Sequence, residues 1–346
     1  MNMRPGKAIL SVLLLLLCAC NRQDPYVETI TVPTESYILF NSGVSTKTPI
    51  ISDMQGRSFG VIGYKYTGTW ASNVIMAKPF KENTAGAADG FYQREVACAA
   101  NGVCSYTPIQ RWESGQSYTF FAYYPYNYSG LTTSSDSYEG VPYMDYSLPS
   151  STDPADLQDV MYAKSEEDLN GNGSGTVSLT FHHALFCLNI QGRNVNEGDE
   201  KIRNVKIKFD QLAYSTMHIR LDGTKDGETP MCAGTAITNR EYVVSDATAI
   251  TIPPLTTANS EPTLLSGNNN LVLIPQSGLS GTITVDYYDT KTSTWVNAKA
   301  NTFTSDRNFE AGKKYSMMLN FAGDAITIAI IESGEWIDKP VDIIFE

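Results

Sequence analysis

Histidine is scarce in this chain, with three in 346 residues: His182, His183 and His218. Two of them are neighbours, and neighbouring strand residues point to opposite faces, so they are badly placed to grip one metal. They read as a structural pair. No Gly-x-Ser-x-Gly, no phosphate-cradling glycine loop and no His-Glu-x-x-His occurs, so the sequence signatures of α/β-hydrolases, nucleotide-binding loops and zinc peptidases are missing. Asp168-Leu169-Asn170-Gly171-Asn172-Gly173 begins like a calcium loop, but its twelfth position is Leu179, where a bidentate Glu is needed. No two carboxylates stand out as a glycosidase pair. The reading is a protein with no catalytic centre, no metal and no cofactor. Helical periodicity over ten or more residues is also hard to find after residue 20. Basic residues are outnumbered 25 to 37, for a formal net charge of −12. That balance repels nucleic acid and anionic lipid surfaces, so neither is expected as a partner of the bare polypeptide.

Long apolar runs are missing except for one. Arg4 and Lys7 precede Ala8 to Leu17, which carries almost no polar atom. This is a charged n-region followed by an h-region too short to span a bilayer, so residues 1–19 read as a secretory signal peptide. It closes on Leu17-Cys18-Ala19-Cys20, which resembles the bacterial lipobox, in which the Cys20 thiol joins diacylglycerol and becomes the mature N-terminus. Each buried CH₂ of such a chain adds about 0.8 kcal/mol to membrane binding. The mature protein is therefore expected outside the cytoplasm, tethered by lipid to the outer membrane. Asn21 follows the Cys, not the Asp that in enteric lipoproteins signals retention at the inner membrane.

Cysteine is sparse too. Cys18 leaves with the signal and Cys20 is taken by lipid, which leaves Cys98, Cys104, Cys187 and Cys232. Cys98 and Cys104 flank Asn101-Gly102, the strongest short hairpin signal. A disulfide between them is plausible outside the cytoplasm. Two free thiols, or pairing with Cys187 or Cys232, are alternatives that spacing does not decide.

What the chain has in quantity is strand-forming residues, including 20 Tyr and 13 Phe. Tyr37-Ile38-Leu39-Phe40 reads as a strand, and Asn41 to Pro49 as a turn-rich segment open to proteases. Phe59 to Tyr66 is a strand whose glycines mark a bulge or a close backbone approach. Ser117 to Tyr124 is apolar or aromatic on both faces, as a central strand is, and Pro125 ends it. Leu131 to Pro149, rich in Ser, Tyr and Asp, reads as a long loop. Tyr126, Tyr128, Tyr138 and Tyr143 lie in loops; they are candidates for stacking on sugar rings, with loop anchoring the plainer role. Asp153-Pro154 starts a helical turn with Pro at its first position. Asn170 to Gly175 is the clearest breaker cluster, and a domain boundary is placed there. Beyond it Val177, Leu179 and Phe181 face one way, and the parity flips to Phe186, Leu188 and Ile190. That flip predicts a bulge or a strand leaving one sheet for another. Val205, Ile207 and Phe209, and again Ile283, Val285 and Tyr287, alternate with polar residues as half-buried strands do. Many short strands separated by turn signals predict sandwiches.

The order Ser117–Pro125, Asp159–Ala163, Val177–Leu185, then Phe309–Tyr315 and the late Trp336 resembles the Bacteroidetes fimbrillin-like (Mfa-like) proteins. The resemblance implies an all-β fold of two transthyretin-like β-sandwich domains in tandem. Here the domains would be 49–174 and 175–346, behind a lipidated leader and exchangeable first strand over 20–48. It implies a structural or adhesive subunit of cell-surface fimbriae, the type V pili, built with other pilin subunits and not an enzyme. In that family a trypsin-like protease removes the leader with its first strand, and a neighbour's C-terminal strand fills the groove by strand addition. Here Tyr37, Ile38, Leu39 and Phe40 would be the removed strand, and Val341, Ile343 and Phe345 the donor. Family members often carry Thr-Arg at the cut. This chain has Thr46-Lys47, with Arg57 the next basic residue, so Lys47 and Arg57 are the processing candidates. The alternative is a non-polymerising surface lipoprotein that binds glycans. A host or bacterial surface ligand is expected under either reading.

Overall fold

The computed structural model describes residues 37–44, 54–80, 90–170, 176–223, 231–256, 261–267, 270–323 and 325–335. The signal peptide, Cys20, Lys47 and the 341–345 segment lie outside them.

Strands dominate the described residues. The first half gives β1 (Leu39–Val44), β2 (Ser58–Tyr66), β3 (Arg94–Cys98), β4 (Cys104–Ser105), β5 (Ser117–Tyr124), β6 (Leu131–Thr133), β7 (Tyr143–Ser147), β8 (Met161–Lys164) and β9 (Thr176–His183). The second half gives β10 (Phe186–Asn194), β11 (Glu200–Leu212), β12 (Thr216–Arg220), β13 (Met231–Ala233), β14 (Ile237–Val243), β15 (Ile250–Ile252), β16 (Thr263–Leu264), β17 (Leu271–Leu273), β18 (Gln276–Asp289), β19 (Thr294–Phe309), β20 (Lys313–Ala322) and β21 (Ala325–Glu335). Among the described residues, helix is confined to α1 (Trp70–Asn73) and a 3₁₀ turn at Pro154–Asp156, whose N-cap Asp153 accepts from Ala155 N. No helix among the described residues is long and apolar enough to cross a membrane. The fold is all-β, with β-sandwich domains in tandem.

The first sheet runs β1-β9-β8-β5-β2-β3-β4. Its central strands β5 and β2 are buried on both faces, as the aromatic run predicts. One face, with Phe59, Val61, Phe120, Ala122, Val177, Leu179 and Phe181, closes on its own core with Ile38 and Phe40. The other face, with Ile62, Tyr64, Phe121 and Tyr123, joins a larger core shared with the second half. The glycines of β2 allow this. A Cβ on Gly60 would fall against the Tyr123 ring, and one on Gly63 would lie 2.7 Å from Phe91 Cβ.

β9 follows the breaker cluster and completes the first sheet, pairing with both β8 and β1. The parity flip is a change of sheet. Val177, Leu179 and Phe181 belong to the first core, whereas Leu185, Phe186, Leu188 and Ile190 belong to the shared one. The second half holds two five-stranded sheets, β14-β11-β18-β19 with β15 also on β11, and β16-β10-β20-β21 with β17 also on β10. Val205, Ile207, Phe209, Ile283 and Val285 point into their common core as their alternation requires.

Two expectations are corrected. Asn41–Val44 is strand, not turn, because it pairs residue by residue with β9. Leu131–Pro149 is not one long loop: β6 and β7 lie within it, and β7 pairs with β12 in a four-stranded sheet, β13-β12-β7-β6, built from both halves. Its inward residues are Met144 and Tyr146, both fully buried. Ser, Asp and Tyr on the other face hide that alternation from a hydrophobicity reading.

Candidate functional site

β1 is an edge strand held by distant partners. It runs parallel to β9, from Leu39 opposite Thr176 to Val44 opposite Phe181. Parallel neighbours need a long connection, and here it is most of the first half of the chain. β1 therefore has no hairpin partner to hold it in place.

Its side chains alternate as strand geometry demands. Ile38 and Phe40 are buried at 0% and 3% exposure, while Leu39 is 47% exposed. The Phe40 ring sits edge-on to Phe91, Tyr106 and Phe120, with centroids 5.3–5.5 Å away. Edge-to-face aromatic pairs add about 0.5–1.5 kcal/mol beyond their area. Full burial of Ile38 and of Phe40 contributes about 1.5–3 kcal/mol each. Ser42, the next inward position, has its Oγ 3.2 Å from Cys104 Sγ and 3.5 Å from Cys98 Sγ. These two cysteines are joined as a disulfide across the β3–β4 hairpin. Cys187 and Cys232 are free thiols, raised by burial to about 12 and about 11 respectively.

The far side of β1 is gripped by the segment after β4. Ile38 N donates to Gln110 O at 3.0 Å. Tyr106 OH donates to Ile38 O at 2.8 Å and accepts from Gln110 N at 3.1 Å. Burial pushes the Tyr106 hydroxyl up to about 12, against the pull of the Gln110 N–H and Arg94, so it is a neutral donor at ordinary pH. Trp112 Nε1 donates to Tyr37 O at 3.1 Å, and the Arg111 guanidinium lies 5.5 Å from the Tyr37 ring. Tyr106, Gln110 and Trp112 escaped the sequence reading. Their only signal there was the aromatic density between Cys104 and Trp112.

The other singled-out residues lie elsewhere. Arg57 Nη1 donates to Tyr124 OH at 3.2 Å, and its backbone is bonded on both sides, N to Met54 O and O from Cys98 N. His183 Nδ1 meets the Asp159 carboxylate at 2.8–2.9 Å in the interior, and His218 Nδ1 meets Asp145 Oδ1 at 2.7 Å. Asp168 Oδ1 accepts from Tyr66 OH and Trp70 N, which commits that carboxylate to a structural role. Tyr143 is on β7, not in a loop, and lies between Tyr138 and His218, at 5.0 and 4.4 Å. Tyr126 and Tyr128 pack on the shared core.

Comparison with known proteins adds a fold and a family. A fimbrial protein from Bacteroides vulgatus superposes with a TM-score of 0.63 at 18% identity, over 87% of this chain and 99% of its own. A protein from Bacteroides ovatus, provisionally assigned to cell adhesion, gives 0.50 at 13% identity, over 88% and 99%. At such identities the likeness establishes the fold. No curated protein matches in sequence. The fimbrillin-like family model matches residues 59–336. Members of that family are structural proteins of fimbriae and adhesion, not enzymes. This chain belongs to the fimbrillin-like family.

Proposed function

We propose that this protein is a structural subunit of cell-surface fimbriae, exported as a lipoprotein on Cys20 and assembled by protease-triggered strand exchange. Its partners are then other pilin subunits and, before processing, the outer membrane. The observation that carries this reading is the placement of β1, an edge strand whose Phe40, with Ile38 just before it, fills an aromatic slot and whose one ladder partner among the described strands, β9, lies far away in sequence. A cut after Lys47 falls between β1 and β2. It would free β1 to leave with the leader, while all of β2 stays with the subunit. A cut after Arg57 would instead break a turn whose backbone hydrogen bonds link β2 to β3. Lys47 is thus the better processing site. Loss of β1 exposes the β9 edge and the pocket of Phe91, Tyr106 and Phe120, and an open edge over apolar pockets is what an added strand recognises.

The test is limited trypsin digestion of the purified mature protein, followed by electrophoresis in mild denaturant and N-terminal sequencing. The expected result is a product beginning at Thr48 that forms a ladder. A product that stays monomeric and binds a polysaccharide column would favour the glycan-binding alternative.

A further inference from the structure

A cleft of about 620 Å³ opens where three segments meet. One wall is Thr152 and Asp153, on the connection from β7 to β8. A second is the turn from β14 to β15, with Ser245, Asp246 and Thr248. The third is Leu265 and Ser266, just after β16. All three are fixed to the sheets. Val243 N donates to Thr152 O at 2.9 Å, and Arg240 Nη1 donates to Pro149 O at 2.9 Å and Ser151 O at 3.3 Å. Asn204 N donates to Asp246 O at 2.7 Å, and Leu265 N to Ile190 O at 2.8 Å. The cleft is therefore built before any ligand arrives, and its size falls within the ~300–1,000 Å³ of small-molecule sites.

The lining selects by exclusion. Among the described residues it carries two carboxylates, Asp153 and Asp246, and no Lys, Arg or His, which disfavours an anion. Asp153 Oδ1 accepts from Ala155 N at 2.9 Å and Asp246 Oδ1 from Thr248 N at 2.8 Å, so both carboxylates are held in place. Hydrogen bonds from the Thr248 backbone and hydroxyl keep the Asp246 carboxyl below the ordinary carboxylate value, hence ionised at neutral pH. The floor is apolar, with Val244 and Leu265 both buried. Within it lies Ser266, 6% exposed, whose Oγ has no hydrogen-bond partner among the described residues. A buried hydroxyl left in that state is costly, and a ligand oxygen seated on the floor would supply the partner. A bare metal ion would leave most of the space and the apolar floor unused. A ring with one CH-rich face and a rim of hydroxyls uses both, because a hydroxyl donating to a carboxylate makes a strong, charge-assisted bond.

We propose that this cleft binds a neutral mono- or disaccharide, seated on Val244 and Leu265, with its hydroxyls donating to Asp153 and Asp246 and one oxygen paired with Ser266 Oγ. The loop tyrosines singled out for sugar stacking, Tyr126, Tyr128, Tyr138 and Tyr143, take no part in it. None of the lining residues belongs to β1 or to the segment that grips it, so the site stands apart from strand exchange.

The experiment uses the untrimmed mature protein. The probes are the methyl glycosides of glucose, galactose, mannose, fucose and N-acetylglucosamine, with maltose, cellobiose and lactose. Each is titrated by calorimetry up to about 50 mM, enough to reveal a millimolar Kd. At least one sugar is expected to bind. D153N and D246N, which keep a side-chain acceptor for Ala155 N and Thr248 N, are expected to weaken it at least fivefold, and S266A about threefold, with melts unchanged. Y143A should leave binding within about twofold. Hydrogen exchange of the wild type maps the site without any substitution, and protection by saturating sugar is expected over 243–248 and 264–267. Binding of none of the probes would overturn the proposal. Binding that survives D153N and D246N but is lost in Y143A, or protection confined to 138–146, would overturn the location. Calcium alone binding in place of any sugar, and lost in D246N, would overturn the ligand class. D246N should still form ladders after trimming, so this proposal and the exchange reading fail separately.

Discussion

Ser42 Oγ lies 3.2 Å from Cys104 Sγ, so the first strand of the seven-stranded sheet touches the last. The sheet curls around the core that holds Phe40, and β1 is the piece that closes the curl. A strand in that position protects a core while remaining accessible from outside.

Phe40 should matter most for that closure. It is 3% exposed and packed on three rings, and Phe→Ala at such sites costs about 3–5 kcal/mol. F40A is expected to lower the denaturant midpoint of the protein and speed tryptic trimming several-fold. L39A, on the exposed face, should do neither.

The Cys98–Cys104 disulfide closes a short loop, worth about 2 kcal/mol in the chain-entropy account. Reduction, or C98S with C104S, is expected to lower the melting temperature by several degrees. It should also speed loss of β1 after trimming, since the sulfurs back Ser42. Calorimetry with and without reductant checks the first effect, and the rate of ladder formation checks the second.

Gly60 permits the approach of the Tyr123 ring across β2 and β5. G60A puts a methyl group into that ring, and overpacking of this kind costs about 1–3 kcal/mol. The double variant G60A/Y123L should recover part of the loss, which a denaturation series would show.

Asp286 sets one acid limit. Burial alone would raise its carboxyl, yet hydrogen bonds from Ala298 N at 2.8 Å, Asn204 Nδ2 at 2.7 Å and the Arg203 guanidinium hold it below the ordinary carboxylate value. A depressed folded-state value means stability that is present above about pH 4 and lost as pH falls through the folded value. D286N is expected to lower stability at pH 7 and to narrow the gap from wild type below pH 4, in melts taken from pH 7 to pH 3.

Local alternation was enough to identify many strands. The period-two pattern of Val205–Asp210 and Thr282–Tyr287 is a property of the strand itself, and so is the two-sided apolar run Ser117–Tyr124. The Asn-Gly turn likewise placed Cys98 opposite Cys104, and the Ile-x-Phe of the first strand is legible as a strand. Which strand lies beside which was decided only in three dimensions. β1 pairs with β9 across more than a hundred residues, and β7 with β12 across both halves; nothing within either segment encodes its partner. The grip of Tyr106, Gln110 and Trp112 on β1 arises the same way, because backbone groups at a sheet edge must find partners and the fold determines which side chains are near enough to supply them.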